Sequence, residues 1–350
     1  METPDLRTLR PSPGRDRVEI LDQTRLPHAR ATVSLATVAD VAHAIRVMQV
    51  RGAPLIGATA AYGLALALRA DPSDTGIAAA YALLCAARPT AVNLRWALDR
   101  VRSKVAALAA AERAGAAWAE ADAIAAEDLA INRALGEHGL RILERLAAGH
   151  QRPLQILTHC NAGALATLGW GTATAPIYLA HAAGMPLHVW VSETRPRLQG
   201  AKLTTWELGM HGVPHTLIVD AAGAALMRRG HVDLVLVGAD RVAANGDVCN
   251  KIGTYEKALA ASDNGVPIYA AVPSATIDWT LVNGDGILIE ERDVNEVLMP
   301  GGSDVIAPPG TPVANPGFDV TPARLFSGLI TERGVCPAHE LRALFPELPR

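Results

Sequence analysis

The sequence has little cysteine and lacks the short motifs that bind metals or dinucleotides. Its four cysteines, at positions 85, 160, 249 and 336, are too scattered for a disulfide framework, so a reducing cytoplasmic compartment is expected. Because neither a Cys-x-x-Cys pair nor a His-Glu-x-x-His motif occurs, a zinc ion is not expected. The phosphate-binding P-loop is absent, and no Gly-x-Gly-x-x-Gly lies between a strand and a helix, which argues against a dinucleotide cofactor.

Strong charge and long apolar runs are also missing. A formal net charge of -3 gives no reason to expect nucleic acid or a membrane surface as partner. No uninterrupted apolar stretch approaches the ~20 residues that span a bilayer. The charged, proline-rich segment 1–17 has no apolar core of the signal-peptide type. What the chain does have is length: 350 residues are enough for two domains and a large core.

The amino-terminal part of the chain has the pattern of helices. Segment 37–50 starts with a Thr-x-x-Asp cap and places its apolar side chains on one face. Pro54 is well placed to begin the next helix. We therefore expect an amino-terminal domain, residues 1–148, that is mainly helical with a small sheet. Further helices are predicted over 54–69, 74–87, 91–112 and 114–148, and short strands over 18–21 and 31–35.

After residue 150 short apolar runs alternate with helical stretches. Such alternation, with right-handed crossovers, predicts a mostly parallel, doubly wound sheet. The fold class is therefore α/β, with a Rossmann-like carboxyl-terminal domain over residues 149–350. Segment 299–325 is rich in proline and glycine and is expected to run over the surface in extended form. The predicted strands cover 154–158, 187–191, 215–219, 232–237 and 267–272.

Cys160 and Asp240 each follow one of these apolar runs. Ligands of open α/β sheets bind at the carboxyl ends of the strands, which is where these two side chains would meet. Cys160 is either a small buried hydrophobe or, at the start of the next helix, a thiol whose pKa is lowered by the helix dipole. Asp240 is either a turn residue or a partly desolvated carboxyl that serves as a general acid. His159 would point to the opposite face of its strand from Cys160, so we interpret it as structural.

Several basic or polar residues lie where helices are predicted to begin. Arg51-Gly52-Ala53 leads into one helix, and Arg88 precedes another. Asn250-Lys251 and Gln199-Gly200 are predicted to open two more. Free N–H groups at a helix start beside a cation form a natural phosphate cradle, so together these positions suggest an anionic substrate. Each of them taken alone is equally well explained by a solvated loop.

The motifs taken together, over about residues 17–335, resemble one known family. This family contains the methylthioribose-1-phosphate isomerases and also the α, β and δ regulatory subunits of eukaryotic translation initiation factor 2B. The matching segments are VRGAPLIGATAAYG (50–63), RPTAVNL (88–94), CNAGALAT (160–167), GTATAPIYLA (171–180), ETRPRLQGAKLTTWEL (193–208), VGADRVAANGDVCNKIGTY (237–255), IEERDVNEV (289–297) and NPGFDVTP (315–322).

The resemblance implies a homodimer and a set of site residues. Cys160 and Asp240 correspond to the catalytic pair, with Asp240 as proton donor. The implied sugar-phosphate site consists of Arg51, Gly52, Ala53, Arg88, Gln199, Asn250 and Lys251. No metal ion or organic cofactor is implied. Two departures stand out: His159 and Cys249 sit beside functional positions with no assigned role, and the short spacing from Arg51 to Arg88 puts the helix near residue 75 in doubt.

The resulting hypothesis is an isomerase of methionine salvage that converts 5-methylthio-D-ribose 1-phosphate to 5-methylthio-D-ribulose 1-phosphate. The alternatives are the same chemistry on 5-deoxyribose 1-phosphate or ribose 1,5-bisphosphate, and a non-catalytic regulatory subunit of the initiation-factor type. A binding subunit has no need for both Cys160 and Asp240, which argues against the last. Three cations in the matched motifs are about what one phosphate needs, so we expect an apolar group at C5. The sequence does not choose between proton transfer and a hydride shift.

Overall fold

The computed structural model describes residues 6–149, 151–300, 302 and 304–347. By compactness the chain divides into two units, Met1–Arg133 with Gly163–Gly171, and Ala134–Ala162 with Thr172–Arg350. This division falls inside a helix, Ala110–Ala147, so the predicted domain boundary after residue 148 stays a prediction. The outer ends of the two predicted domains, residues 1–5 and 348–350, lie outside the described residues.

The first unit contains a small antiparallel sheet and a set of helices. The predicted strand over 18–21 is confirmed, the one over 31–35 is a residue shorter, and a strand before them was not predicted. The sheet has the order β1-β2-β3. Its strands are β1 Leu9–Pro11, β2 Val18–Leu21 and β3 Thr32–Leu35; the helices are α1 Val38–Arg46, α2 Ala53–Ala70, α3 Asp74–Ala87, α4 Val92–Val105 and the first part of α5 Ala110–Ala147.

Helix starts in the first unit follow local chemistry. The side chain of Thr37 accepts a hydrogen bond from the Asp40 N–H, and the Asp40 carboxylate accepts one from the Thr37 N–H, the predicted capping box of α1. The doubted helix near residue 75 is present as α3, whose amino terminus is capped by Ser73. A Cβ on Gly57 would lie 2.8 Å from the Asn93 carbonyl oxygen, so the first turns of α2 and α4 pack closely.

One helix passes a test for a membrane span that the sequence argument did not apply. Among the described residues, α2 is long and apolar enough by length and composition to cross a membrane. However, 72% of its apolar window is buried, and the helix lies in the hydrophobic core of the first unit. The sequence argument looked for a run without polar residues, whereas α2 contains Thr59 and Arg69. Core helices of soluble proteins have this same composition.

The second unit is built on a seven-stranded sheet in the order β14-β13-β10-β7-β4-β5-β6. Every neighbouring pair is parallel except β13 with β14. All five predicted strands are confirmed within two residues at either end, while β13 and β14 were not predicted. The strands are β4 Leu154–Thr158, β5 Leu187–Ser192, β6 His215–Ile218, β7 Leu234–Val237, β10 Ile268–Ala271, β13 Gly328–Thr331 and β14 Gly334–Cys336.

Both faces of this sheet are buried. Alternate residues of one strand belong to different core clusters: Ile156 packs into one and Leu157 into the other, and the same holds for Leu234 and Val235. The carboxyl-terminal part of α5 and helices α6 and α7 contribute to the cluster that contains Ile156. Helices α8 and α9 contribute to the cluster that contains Leu157. Helices on both faces make this a doubly wound sheet. The helices are α6 Thr174–Ala182, α7 Thr205–Met210, α8 Ala222–Arg228, α9 Thr254–Asp263 and α10 Asn295–Leu298.

A second, four-stranded sheet in the same unit was not predicted. It has the order β11-β8-β9-β12, and β9 pairs antiparallel with both of its neighbours. Its last strand lies inside segment 299–325, which is therefore not extended surface chain throughout. The strands are β8 Arg241–Ala243, β9 Val248–Lys251, β11 Ile277–Asp278 and β12 Phe318–Thr321.

Candidate active site

The switch point of the large sheet lies between β4 and β7. From β4 the chain runs to β5 and then β6 on one side, and it returns to β7 on the other side of β4. Leu157 aligns with Val235, so the loops that carry Cys160 and Asp240 leave the same edge of the sheet. A Cβ on Gly238 would lie 2.6 Å from the Cβ of Ala162, which shows that these two loops pack against each other. This edge is where doubly wound folds bind their ligands.

Cys160 is buried and fixed from three sides. Its N–H donates to Thr194 Oγ1 (2.8 Å), and its carbonyl oxygen accepts from Thr204 Oγ1 (2.7 Å). The thiol Sγ donates to Gln199 Oε1 (3.4 Å). The residue has φ +64°, a left-handed backbone conformation that is uncommon for residues other than glycine, asparagine and aspartate. Two residues predicted for the site, Cys160 and Gln199, are therefore in contact although they come from different loops.

The next helix, which was predicted to aim its amino terminus at Cys160, does not begin near it in the chain. The chain instead forms a short 3₁₀ turn at Ala164–Ala166, and α6 begins only at Thr174. The helix start that contacts Cys160 is the one predicted at Gln199-Gly200. It opens a π-helical turn, Gly200–Thr204, that continues directly into α7. The partner of the thiol thus comes from the loop after β5 and not from the chain segment that follows Cys160.

The residue after Cys160 anchors the same loop in a polar network that sequence reasoning missed. Asn161 Nδ2 donates to Glu207 Oε1 (2.6 Å) and to Thr204 Oγ1 (3.2 Å). Glu207 is fully buried, and its negative charge contributes, after burial, to a Tyr178 pKa well above the usual value. A single acidic residue within the apolar stretch TWELGM was the available signal.

Asp240 is half-buried at the start of β8. Its N–H donates to the Cys249 carbonyl oxygen (2.9 Å), which ties the loop after β7 to β9. Burial first, and the carboxylate of Asp240 second, raise the pKa of the Cys249 thiol to about 12. Cys249 is therefore a protonated thiol at neutral pH, and we assign it no reactive role although it lies beside a predicted catalytic residue.

Asn250 and Lys251 do not open a helix, contrary to the prediction. They end strand β9, and α9 begins three residues later at Thr254. Asn250 Nδ2 donates to Thr254 Oγ1 (3.0 Å). Lys251 Nζ donates to the Gly317 carbonyl oxygen (2.9 Å) and lies 4.4 Å from the centre of the Phe318 ring. Lys251 thus brings a cation to a buried position.

The remaining predicted residues belong to the first unit. Gly52 forms the amino-terminal cap of α2 with φ +87°, and a Cβ there would lie 2.5 Å from both Cα and Cβ of Ala166. Ala53 is the first residue of α2, and Arg51 is buried just before it. Arg88 is half-buried at the end of α3, and its carbonyl oxygen accepts from the Ala91 N–H just ahead of α4. The packing of the first turns of α2 and α4 places both arginines at the same end of this helix pair.

A buried polar cluster adjoins Cys160, and its members other than His159 were not singled out from sequence. His159 Nε2 donates to the Ile252 carbonyl oxygen (2.7 Å). Burial, and next the nearby Lys257 cation, lower the pKa of His159 to about 3, so its ring is neutral. The ring therefore ties the end of β4 to the chain just after Lys251, in keeping with the structural interpretation of His159. The other members are Thr194, Asp220 and Lys257.

In the part of the chain that the structure describes, no three His, Cys, Asp or Glu side chains lie close enough together to hold a metal ion. The arrangement around Cys160 instead offers a thiol with an amide partner, and a half-buried carboxyl follows the neighbouring strand. Proton transfer between a substrate and these two groups is the chemistry that such side chains support.

Comparison with known proteins gives a consistent result. Residues 49–338 match the Initiation factor 2 subunit family. The methylthioribose-1-phosphate isomerase of Methylorubrum populi is 59% identical, covering 97% of this chain and 96% of that protein. The crystal structure of 5-methylthioribose 1-phosphate isomerase from Pyrococcus horikoshii has a TM-score of 0.88 at 40% identity, covering 99% of this chain and 97% of that one.

The structure of the translation initiation factor eIF-2B subunit delta from A. fulgidus is also similar, with a TM-score of 0.83 at 37% identity over 98% of this chain and 100% of that chain. Fold likeness alone thus does not separate enzymes from initiation-factor subunits, whereas the higher identity to the isomerases does. The chain belongs to the Initiation factor 2 subunit family and, within it, to the isomerases.

Proposed function

We propose that the chain converts 5-methylthio-D-ribose 1-phosphate to 5-methylthio-D-ribulose 1-phosphate, an aldose–ketose isomerisation in methionine salvage. The observation that carries this proposal is the 59% identity to a methylthioribose-1-phosphate isomerase over nearly the full length of both chains. The loops that carry Cys160 and Asp240 leave the sheet at its switch point, which supports the proposal because doubly wound folds bind ligands there.

The substrate sets the chemical problem. Its phosphate is carried on the C1 oxygen, so the sugar cannot open to a free aldehyde without losing that phosphate. The enzyme must break the bond between C1 and the ring oxygen while it keeps the C1–O–P bond. We assign Asp240 as the acid that protonates the ring oxygen, because its half-buried carboxyl follows the strand next to the one that Cys160 follows.

Cys160 is the assigned partner for the second half of the reaction. In one route its thiolate removes the C2 proton to give an enol phosphate, which is then protonated at C1. In the other, hydride passes from C2 to C1 while a base removes the C2 hydroxyl proton. Gln199 suits both protonation states of Cys160, because its side-chain oxygen accepts from a thiol and its amide nitrogen can donate to a thiolate. Burial of Cys160 favours either route by excluding water.

We assign substrate binding to Arg51, Gly52, Ala53, Arg88, Gln199, Asn250 and Lys251. The three cations in this set would bind the phosphate together with backbone N–H groups at the start of α2, where the N-cap residue Gly52 provides no side-chain cap. Lys251 is held by the Gly317 carbonyl and the Phe318 ring, which fixes the direction of its ammonium group.

One of two neighbouring arginines is already paired with a carboxylate, which supports a single phosphate and an apolar C5 group. Arg197 Nη1 is 2.7 Å from Glu296 Oε1, and Arg195 Nη2 donates to the Val297 carbonyl oxygen (2.9 Å). The ion pair with Glu296 commits Arg197 to α10, whereas the buried Nη1 of Arg195 has no hydrogen-bond partner among the described residues. Ribose 1,5-bisphosphate would carry about two more negative charges that need a cationic partner.

Cellular context is part of the same proposal. We propose a cytoplasmic homodimer that needs no metal ion or organic cofactor. All four cysteines are unpaired thiols, as expected in a reducing compartment. The dimer rests on the family resemblance.

The decisive experiment is a coupled isomerase assay on three substrates. We expect kcat/KM to be highest for 5-methylthioribose 1-phosphate. 5-Deoxyribose 1-phosphate should lose roughly 10–200-fold, as for a missing apolar group of this size, and ribose 1,5-bisphosphate should be turned over least. Faster turnover of the bisphosphate would refute the apolar C5 pocket. No turnover of any of the three, together with tight sugar-phosphate binding, would favour the regulatory-subunit alternative.

A further inference from the structure

Asp220 lies just after β6, beside the loop that follows β5. Its carboxylate accepts three hydrogen bonds from that loop: from the hydroxyl of Ser192 (2.5 Å), the N–H of Thr194 (2.8 Å) and the N–H of Arg195 (2.7 Å). Burial acts to raise the pKa of Asp220, but these hydrogen bonds hold it below the usual value. Asp220 is therefore a carboxylate that organises the turn at residues 192–195.

That turn has a backbone that its sequence does not favour. Thr194 has φ +66°, which is costly for a β-branched residue and persists only where the surroundings enforce it. The two hydrogen bonds from the N–H groups of Thr194 and Arg195 to one carboxylate are the contacts that enforce it. In this conformation the Thr194 hydroxyl donates to the Ser192 carbonyl oxygen (2.9 Å), so its own oxygen can still accept a hydrogen bond.

The Thr194 hydroxyl then accepts the N–H of Cys160 (2.8 Å). Cys160 is itself in the left-handed region, so this hydrogen bond helps to retain a backbone that aims the thiol. Four residues after Arg195 the same loop carries Gln199, which accepts from the thiol (3.4 Å). The loop that Asp220 orders thus holds both the backbone and the side chain of Cys160.

We propose that Asp220 is a positioning residue for Cys160, acting through the Thr194 hydroxyl. The proposal rests on the proposed function only in that Cys160 takes part in the reaction. Asp220 does not need to touch the substrate, because its effect is to keep the thiol in a productive orientation. Displacements of about 1 Å at such a group can cost on the order of 100-fold in rate.

A loss of activity in an Asp220 variant could also reflect lost stability. Lys257 is buried, and its Nζ donates to the Asp220 carbonyl oxygen (3.4 Å). The Asp220 charge raises the pKa of Lys257 against the lowering effect of burial, so it also compensates a buried cation. The test therefore needs substitutions at Thr194 and a control aspartate elsewhere.

The experiment compares four variants of the full-length chain: Asp220→Asn, Thr194→Val, Thr194→Ser and, as control, Asp247→Asn. Asp247 lies in the turn between β8 and β9. It is a matched carboxylate, because it also accepts two backbone N–H groups, those of Gly284 (3.0 Å) and Ala323 (2.8 Å). Each variant is assayed for kcat and KM and for thermal stability. The rate at which iodoacetamide alkylates Cys160 is followed by peptide mass spectrometry, with the buried Cys249 and Cys336 as internal references.

We expect Asp220→Asn and Thr194→Val to lower kcat roughly 10–100-fold with KM changed less than about threefold. Alkylation of Cys160 alone should rise by roughly fivefold or more, since its loop opens locally. Thr194→Ser retains the hydroxyl and should stay within about threefold of wild type in both readouts. Asp247→Asn should lose stability without a selective change at Cys160.

A fifth variant combines Asp220→Asn with Thr194→Val. Because Asp220 is proposed to act through Thr194, its kcat should be no lower than that of the worse single variant. The proposal is overturned if Asp220→Asn leaves kcat and Cys160 alkylation unchanged, if all three cysteines react faster together, or if Thr194→Ser behaves like Thr194→Val. If the wild-type chain shows no isomerase activity, the proposed function fails, but selective alkylation of Cys160 still decides the positioning role. If Asp220→Asn does not fold, the Thr194 pair decides it.

Discussion

Replacing Gly52 by alanine tests the start of α2, because the change combines two separable costs. Gly52 has φ +87° and ψ +136°, a backbone region that only glycine adopts readily, and forcing another residue into it costs on the order of 1–3 kcal/mol. The new Cβ would also lie 2.5 Å from Ala166 Cα and Cβ and 2.6 Å from its carbonyl oxygen. Backbone cannot rotate away, so overpacking adds about 1–3 kcal/mol.

The expected sum for Gly52→Ala is about 2–6 kcal/mol of unfolding free energy, a large part of the roughly 5–15 kcal/mol typical of a folded protein. Gly184→Ala is the matched control, because Gly184 has φ +79° and a Cβ added there would meet no atom within 4 Å, so it should lose only about 1–2 kcal/mol. Urea unfolding of both variants, followed by circular dichroism, measures the difference. Equal losses in the two would show that contact with Ala166 does not constrain Gly52.

Three further predictions concern the site and its surroundings. Cys160→Ser and Asp240→Asn should each keep the fold and cut kcat by ~100-fold or more, and near-normal turnover in steady-state assays would remove that residue from the chemistry. Arg51→Ala or Arg88→Ala should mainly raise KM, because the phosphate is unchanged by the reaction; a fall in kcat at constant KM would contradict this. Asp128 lies in α5 and accepts the N–H of Leu168 (2.9 Å). Burial raises the pKa of Asp128 to about 6, so the stability it contributes is full below about pH 3.8 and is lost as pH rises through 6. Relative to wild type, the free energy of unfolding of Asp128→Asn should therefore increase by up to about 3 kcal/mol from pH 4 to 7.5, as measured by urea unfolding. A difference between the two proteins that does not depend on pH would refute the raised pKa of Asp128.

The sequence predicted those elements whose pattern is local. Apolar runs of four to six residues bounded by glycine and polar residues gave the central parallel strands, because a strand buried on both faces needs no partner to be recognised. The capping box at Thr37 and Asp40 gave the start of α1 for the same reason. In each case the residues that decide the structure are neighbours in the chain.

The four-stranded sheet was missed because its strands are decided by distant partners. Strand β9 reads Val-Cys-Asn-Lys, and its polar half suggested the start of a helix after the loop at Gly246. In the structure, Asn250 lies opposite Asp319, which comes almost 70 residues later and accepts the N–H of Gly253 (2.7 Å). Pairing with β12 buries Lys251 and delays the helix to Thr254. No local pattern carries this information.

The sequence proposes residues for the candidate site but does not show their geometry, and the backbone explains why. Among the described residues, five that are not glycine have positive φ, and three of these, Cys160, Thr194 and Leu198, lie in the loops after the adjacent strands β4 and β5. Glycine at Cys160 or Thr194 would relieve the strain, but it would remove the thiol or the hydroxyl that the site uses. The chain therefore has residues other than glycine at strained turn positions where sequence rules predict glycine. That strain is retained because Asp220 and Thr194 hold it in place.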